Sequence, residues 1–223
     1  MIETIEVRNF QGIAKCKSMT FQSIESFMSI NYSFKKGKVY GIISDFGCGG
    51  WGLSTCIGGR FFREYDGDVI VNNQKQSLIE LKKHSCFVTD NDYNNLKINQ
   101  KKDSIRKCIE KALKKNNGNY SVSEIKSIFC LSDGRFDRPL SEASGEIWLA
   151  SLAIGFSLEK NIFCYPWLNE IDANRFKIAN NLGVIDFLKI KEKIIIVPSS
   201  QKDFLSSFFD NMIIFREGHV YYE

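Results

Sequence analysis

The chain has 223 residues, a formal net charge of +4 and an apolar fraction of 43%, which suits one sizeable domain or one domain with a small subdomain. The lysines are scattered, with no basic tract interleaved with aromatics, so the composition gives no support for nucleic-acid binding. Cys16, Cys48, Cys56, Cys86, Cys108, Cys130 and Cys164 include no C-x-x-C pair and have only His84 and His219 for company. They read as reduced cytosolic thiols rather than a zinc site. With no N-terminal signal pattern and no apolar run of about 18 residues, the chain is not expected to span a membrane by itself.

Residues 1–35 read as strands: Ile2, Ile5 and Val7 partly alternate with polar residues, and Ile30, Tyr32 and Phe34 do so cleanly. Lys35-Lys36-Gly37 makes a turn with a solvated tip. An apolar run of Val39, Ile42 and Ile43 then enters a loop loaded with Gly47, Gly49, Gly50 and Gly52. A regular segment over 53–57 follows, closed by Gly58-Gly59. Strand, glycine loop and helix is the layout of a phosphate-cradling loop, where backbone N–H groups and a helix N-terminus face an anion. The full pattern G-x-x-x-x-G-K-[ST] fails here: its first Gly falls on Ser44, its Lys on Gly50 and its Ser/Thr on Trp51.

Tyr65-Asp66-Gly67-Asp68 reads as a turn before a strand at Val69-Ile70-Val71, which ends at Asn72-Asn73. Residues 78–83 read as a short link to Phe87-Val88. From 89 to about 135 polar loops surround two helices, near 104–114 and 121–129; Ile105, Cys108, Ile109 and Leu113 share a face of the first. A helix near 141–157 carries Ile147, Leu149, Leu152, Ala153 and Phe156. Two fully apolar strands, 162–165 and 194–197, flank a helix near 173–188 and suit the centre of a parallel sheet. A helix near 204–209 and strands at 212–215 and 219–222 close the chain. This alternation argues an α/β sheet with helices on its faces.

The order of parts resembles the nucleotide-binding subunit of ABC-type ATPases, over nearly the whole chain. FKKGKVYGIIS with the glycine loop looks like the Walker A entry, and YDGDVIVNN like the strand after the first helix. RPLSEASGEIWLASLAIGF looks like the signature region, NIFCYPW the Walker B strand, KIIIVPSS the switch-histidine strand and FDNMIIFREGHVYY the closing hairpin. The resemblance implies an α/β, P-loop NTPase-like mixed sheet with N-terminal antiparallel strands and flanking helices. It further implies a single ABC-ATPase-like domain over 1–223, with 89–145 as a small helical subdomain inserted in its core.

Laid on that family's motifs, the functional residues are missing. The phosphate-binding Lys is Gly50, and the Mg²⁺-holding hydroxyl is replaced by Trp51, which offers no oxygen. Pro166 and Trp167 fall on the Walker B Asp and Glu; a shifted reading uses Asn169-Glu170, with Glu170 and Asp172 as a metal pair. Ser199 or Ser200 stands for the switch His, and Asp90 for the Q-loop Gln. The signature is Ala143-Ser144-Gly145-Glu146, one glycine short, and Phe21 or Phe27 is either an adenine-stacking ring or core. Trp148 and Trp167 read as packing residues.

The site expected from the sequence is therefore a degenerate Walker A of Gly47, Cys48, Gly49, Gly50, Trp51 and Gly52. Ser144, Gly145 and Glu146 would act as a degenerate signature, in trans, on a partner's nucleotide. The glycines either nest an anion or merely permit a tight turn with Trp51 in the phosphate pocket. No catalytic or metal-binding residue and no bound cofactor is expected; ATP and Mg are not favoured. The resemblance implies a pseudo-ATPase that is a structural or regulatory half of a transport complex. Its partners would be an integral membrane permease and an ABC ATPase chain or a second copy, holding it at the inner face of the cell membrane. The alternatives are a divergent but active ATPase subunit and a soluble interaction protein built on the same fold.

Overall fold

The computed structural model describes residues 2–17, 21–60, 62–89, 96, 98–179 and 181–221. Strands β1 (Thr4–Lys17), β2 (Gln22–Lys35), β4 (Phe62–Val71) and β5 (Gln74–Gln76) form an antiparallel sheet in the order β2-β1-β4-β5. The second sheet, ordered β10-β9-β3-β8-β7-β6, contains β3 (Val39–Ile43), β6 (Ser85–Phe87), β7 (Ile162–Cys164) and β8 (Ile194–Ser199). Strands β9 (Asn211–Arg216) and β10 (His219–Tyr221) complete it. All its pairings are parallel except the closing β9–β10 hairpin.

Between the two sheets runs α1 (Gly50–Ile57), every residue of which is buried. Side-chain alternation sends the two faces of the parallel sheet to different cores. Ile194 and Ile196 of β8 join Trp51, Leu53, Ile57 and the antiparallel sheet, whereas Ile195 and Val197 join the helical side. That second core holds α3 (Ile105–Asn116), α4 (Val122–Ile128) and α5 (Asp133–Phe136). It also holds α6 (Ile147–Ser157), α7 (Glu170–Ile178), α8 (Asn181–Ile190) and α9 (Lys202–Phe208). The helices of 89–145 thus pack into the same cluster as Phe163 and Ile195 of the sheet.

Several expected boundaries change, each for a local reason. Residues 78–83 are not a link but α2 (Leu78–His84), started by a capping box in which Ser77 and Glu80 satisfy each other's backbone N–H groups. The expected turn at Tyr65–Asp68 lies inside β4. Gly67 (φ +87°) sits opposite the left-handed Asn9, where the β1–β4 register slips, so its freedom serves a bulge. Asn72 and Asn73 (φ 48° and 65°) make the tight β4–β5 turn, and the Asn72 carboxamide accepts from the N–H groups of Glu3 and Thr4. The helix expected at 141–157 begins only at Ile147, behind two 3₁₀ turns at Leu140–Glu142 and Ser144–Glu146. The single helix at 173–188 is two, α7 and α8. Leu113 is only partly buried, and Ala112 takes its place on the inner face of α3.

Candidate functional site

The glycine loop leaves the carboxyl end of β3, beside β8: the Ser44 N–H donates to the Ser199 carbonyl (3.0 Å). Gly47 (φ +86°) and Gly49 (φ +97°) take left-handed conformations that turn the chain into α1. Successive N–H groups in such a loop converge on a concave, positively polarised seat for an anion. The group in that seat is a carboxyl of the chain itself. Glu25, fully buried on β2, accepts from the N–H of Gly47 (3.0 Å), Gly49 (3.2 Å) and Gly52 (3.0 Å). Burial raises the pKa of its carboxyl, and the N–H groups of Gly52, Gly47, Gly49 and Trp51 offset that only in part.

Glu25 is the residue that sequence reasoning missed, and its strand shows why. Counting back by twos from the inward-facing Phe34 and Ile30 points Met28, Ser26 and Ile24 inward. Instead Ser29 takes a left-handed φ of 50° and the β1–β2 register shifts there, which reverses the alternation. Phe27 and Glu25 turn in, while Ile24 and Met28 stand 55% and 49% exposed. The signal in the sequence was an acid two residues from a phenylalanine in a strand with two outward aliphatics; only the bulge decides its direction.

The remaining loop positions are tied down by the protein. The Gly50 N–H donates to Ser44 Oγ (3.2 Å), and that of Cys48 to the Asp45 carbonyl (3.1 Å). A Cβ on Gly50 would lie 2.5 Å from Ser44 Cβ and 2.8 Å from Ile42 Cγ2. Trp51 is fully buried with its Nε1 unpartnered, and its ring lies against Phe46, which also meets Phe21 and Trp167. Trp167 is buried and donates Nε1 to the Ser44 carbonyl (2.8 Å). Phe27 is core, packed on Phe10; Phe21 is half-buried among the aromatics over the loop, edge-on to Trp167.

Around the loop, Ser199 is buried and donates to the Leu168 carbonyl (2.7 Å), while Ser200 is half-buried. Pro166 and Trp167 follow β7 and are buried. Asn169 caps α7 through the Asp172 N–H (2.7 Å), and Glu170 is exposed on its first turn. Asp172 faces Arg175 at 3.6 Å, and burial raises its carboxyl pKa. Among the described residues no group of three or more His, Cys, Asp or Glu side chains could hold a metal ion. Asp90 lies outside the described residues.

The segment around Ser144 approaches the loop's surroundings at Trp167, with which it borders one cavity. Ser144 and Gly145 are exposed on the 3₁₀ turn leading into α6. Arg135 donates to Ser144 Oγ (2.5 Å) and to the Ala143 carbonyl (3.2 Å), and the Glu146 carboxylate accepts from the Ser132 N–H (3.1 Å). Residues Ser144, Gly145, Trp148 and Trp167 line a cavity of about 470 Å³ that Asp172 and Arg175 also border.

No protein-family model matches the chain, and no curated protein does. Solved structures do. The dimeric structure of MJ0796, a bacterial ABC transporter cassette, superposes with a TM-score of 0.67 at 15% identity, covering 98% of this chain and 97% of that one. The cbiO1 protein of Clostridium perfringens, part of the ABC transporter complex cbiONQ, gives 0.66 at 15% identity, covering 100% and 88%. The ATP-binding subunit of another ABC transporter gives 0.65 at 14% identity, covering 97% and 87%. The chain has the mixed α/β, P-loop NTPase fold of the ABC transporter ATP-binding cassettes, from its antiparallel strands to its closing hairpin.

Proposed function

We propose that this chain is a cassette-type subunit without ATPase chemistry of its own, a structural or regulatory half of a membrane transport complex. It would sit at the inner face of the membrane beneath an integral permease, paired with a competent ATPase chain or a second copy. The observation that carries the reading is the loop. It offers glycine where a phosphate-binding lysine would stand, an indole where a metal-holding hydroxyl would stand, and Glu25 on its anion-facing N–H groups.

Phosphoryl transfer relies on donors and cations placed around the phosphates. Removing one such donor costs roughly 10²–10³ in rate. Here the lysine and hydroxyl positions are Gly50 and Trp51, the histidine position is Ser199 or Ser200, and Ser199 already donates to the Leu168 carbonyl. A triphosphate would also have to enter beside a carboxylate. Support for the transport setting is the fold likeness to a subunit of the cbiONQ complex, together with an exposed Ser144–Gly145 turn that a second chain could use.

The test is calorimetry and turnover on the purified chain with Mg-ATP, followed by co-purification from native membranes. The expected result is neither binding heat nor phosphate release, with an integral membrane protein and an ATPase chain or second copy retained. Micromolar Mg-ATP affinity with turnover by the isolated chain, or a monomer with no membrane partner, would overturn it.

A further inference from the structure

Three donated hydrogen bonds converging on one buried side chain are more than a tight turn needs. A turn requires only the left-handed Gly47 and Gly49; it does not require Gly47 to donate to Glu25 Oε1 while Gly49 and Gly52 donate to Oε2. Burying a carboxylate without partners is costly, and N–H donors offset that cost only when they are already arranged for an anion. The arrangement also explains the bulge at Ser29, which exposes Ile24 and Met28 while delivering Glu25 to the nest.

Resting on the functional reading above, we propose that residues 47–52 form a working oxyanion seat, which this chain keeps filled with its own Glu25 as a tethered ligand. The contact blocks the seat, because it holds the donors that a phosphate would need. It is also structural, because it ties β2 to the start of α1. The free ligand class of the seat is a small oxyanion: inorganic phosphate, pyrophosphate or a short carboxylate.

The experiment removes the tether and offers a free anion. Glu25→Ala is expected to melt ~5–10 °C below the wild type, since orphaned donors in a chain of this size cost that order. Formate, phosphate or pyrophosphate in the millimolar range is expected to recover most of the loss, and to leave the wild type unmoved. A folded Glu25→Ala chain that ignores all three anions overturns the proposal, as does a wild type stabilised by phosphate as strongly as the variant.

Should Glu25→Ala not fold, amide hydrogen exchange in the wild type and in the shape-conserving Glu25→Gln keeps the question open to refutation. Slow exchange at Gly47, Gly49 and Gly52 in the wild type, faster in the Gln variant, supports the tether; fast exchange in the wild type removes it. These readouts separate the two readings. A wild type inert to Mg-ATP beside a Glu25→Ala chain inert to phosphate sinks the tether alone, whereas ATP turnover by the wild type sinks the pseudo-ATPase.

Discussion

At Gly50 the loop has closed around the absence of a side chain. A family-type lysine needs a Cβ there, and Ser44 Cβ stands 2.5 Å from where it would be. The same serine accepts the Gly50 N–H, so yielding to the new atom would also break a buried hydrogen bond. Gly50→Ala is therefore expected to lower stability by about 1–3 kcal/mol, the usual cost of overpacking a filled interior, read as a lower urea midpoint at unchanged slope. Gly50→Lys adds length to the same collision, and its expected outcome in Mg-ATP calorimetry is no gain of binding while Glu25 stays in the seat. Recovery of affinity by that one change would show the loop to be an intact site lacking only a cation. What the sequence displayed at this scale was a glycine at Gly50 and an indole at Trp51, legible as letters. It did not display Glu25, because one left-handed residue, Ser29, decides which side of β2 the acid faces.

Elements were legible where periodicity and caps agreed, as in α3. Ser104 caps it, and Ile105, Cys108 and Ile109 mark its buried face. They were hidden where long-range pairing overrode a local signal: Gly67 belongs to a bulge because β1 runs opposite it, which no local window shows. The start of α3 also carries a charge cluster whose effect depends on three dimensions. Asp103, with 5% of its side chain exposed, accepts from Lys107 (2.8 Å), Lys111 (2.6 Å) and the Asn99 N–H (2.9 Å). Its own carbonyl accepts from the Leu140 N–H (2.9 Å), tying the helix to the segment before the signature turn. The Lys107 and Lys111 ammonium groups hold its carboxyl well below the usual range. A depressed carboxylate contributes stability above its unfolded value and loses it as the pH falls towards its folded one. Asp103→Asn should thus cost about 1–2 kcal/mol at neutral pH, the half-exposed lysines limiting the effect. In paired denaturation series the deficit should shrink steadily below about pH 4. A deficit independent of pH would mean that Asp103 acts through shape, not charge.

For the molecule as a whole, the two sides of the glycine loop's surroundings have opposite character. Between the sheets the loop is enclosed: α1 is wholly buried, Trp51 and Trp167 wall the loop, and Glu25 occupies its donors. The signature turn is open: Ser144 and Gly145 are exposed, and a Cβ at Gly145 would meet only Arg135 Nη1, at 3.9 Å. Gly145 is not in the left-handed region either, so neither space nor backbone demands glycine for folding. This makes Gly145 a probe of assembly that spares the fold. If this face completes a partner's nucleotide site, a bulky cation there should obstruct the approach of the second chain. Gly145→Arg is expected to melt within about 1–2 °C of the wild type, as surface changes do. In the purified complex it should reduce the ATP turnover of the competent partner several-fold, or weaken retention of that partner on a column. Gly50→Ala should do the reverse, melting early while leaving turnover per assembled complex intact. Equal turnover in Gly145→Arg and wild-type complexes would mean that the exposed turn faces no second nucleotide site, and the pairing would have to use another surface.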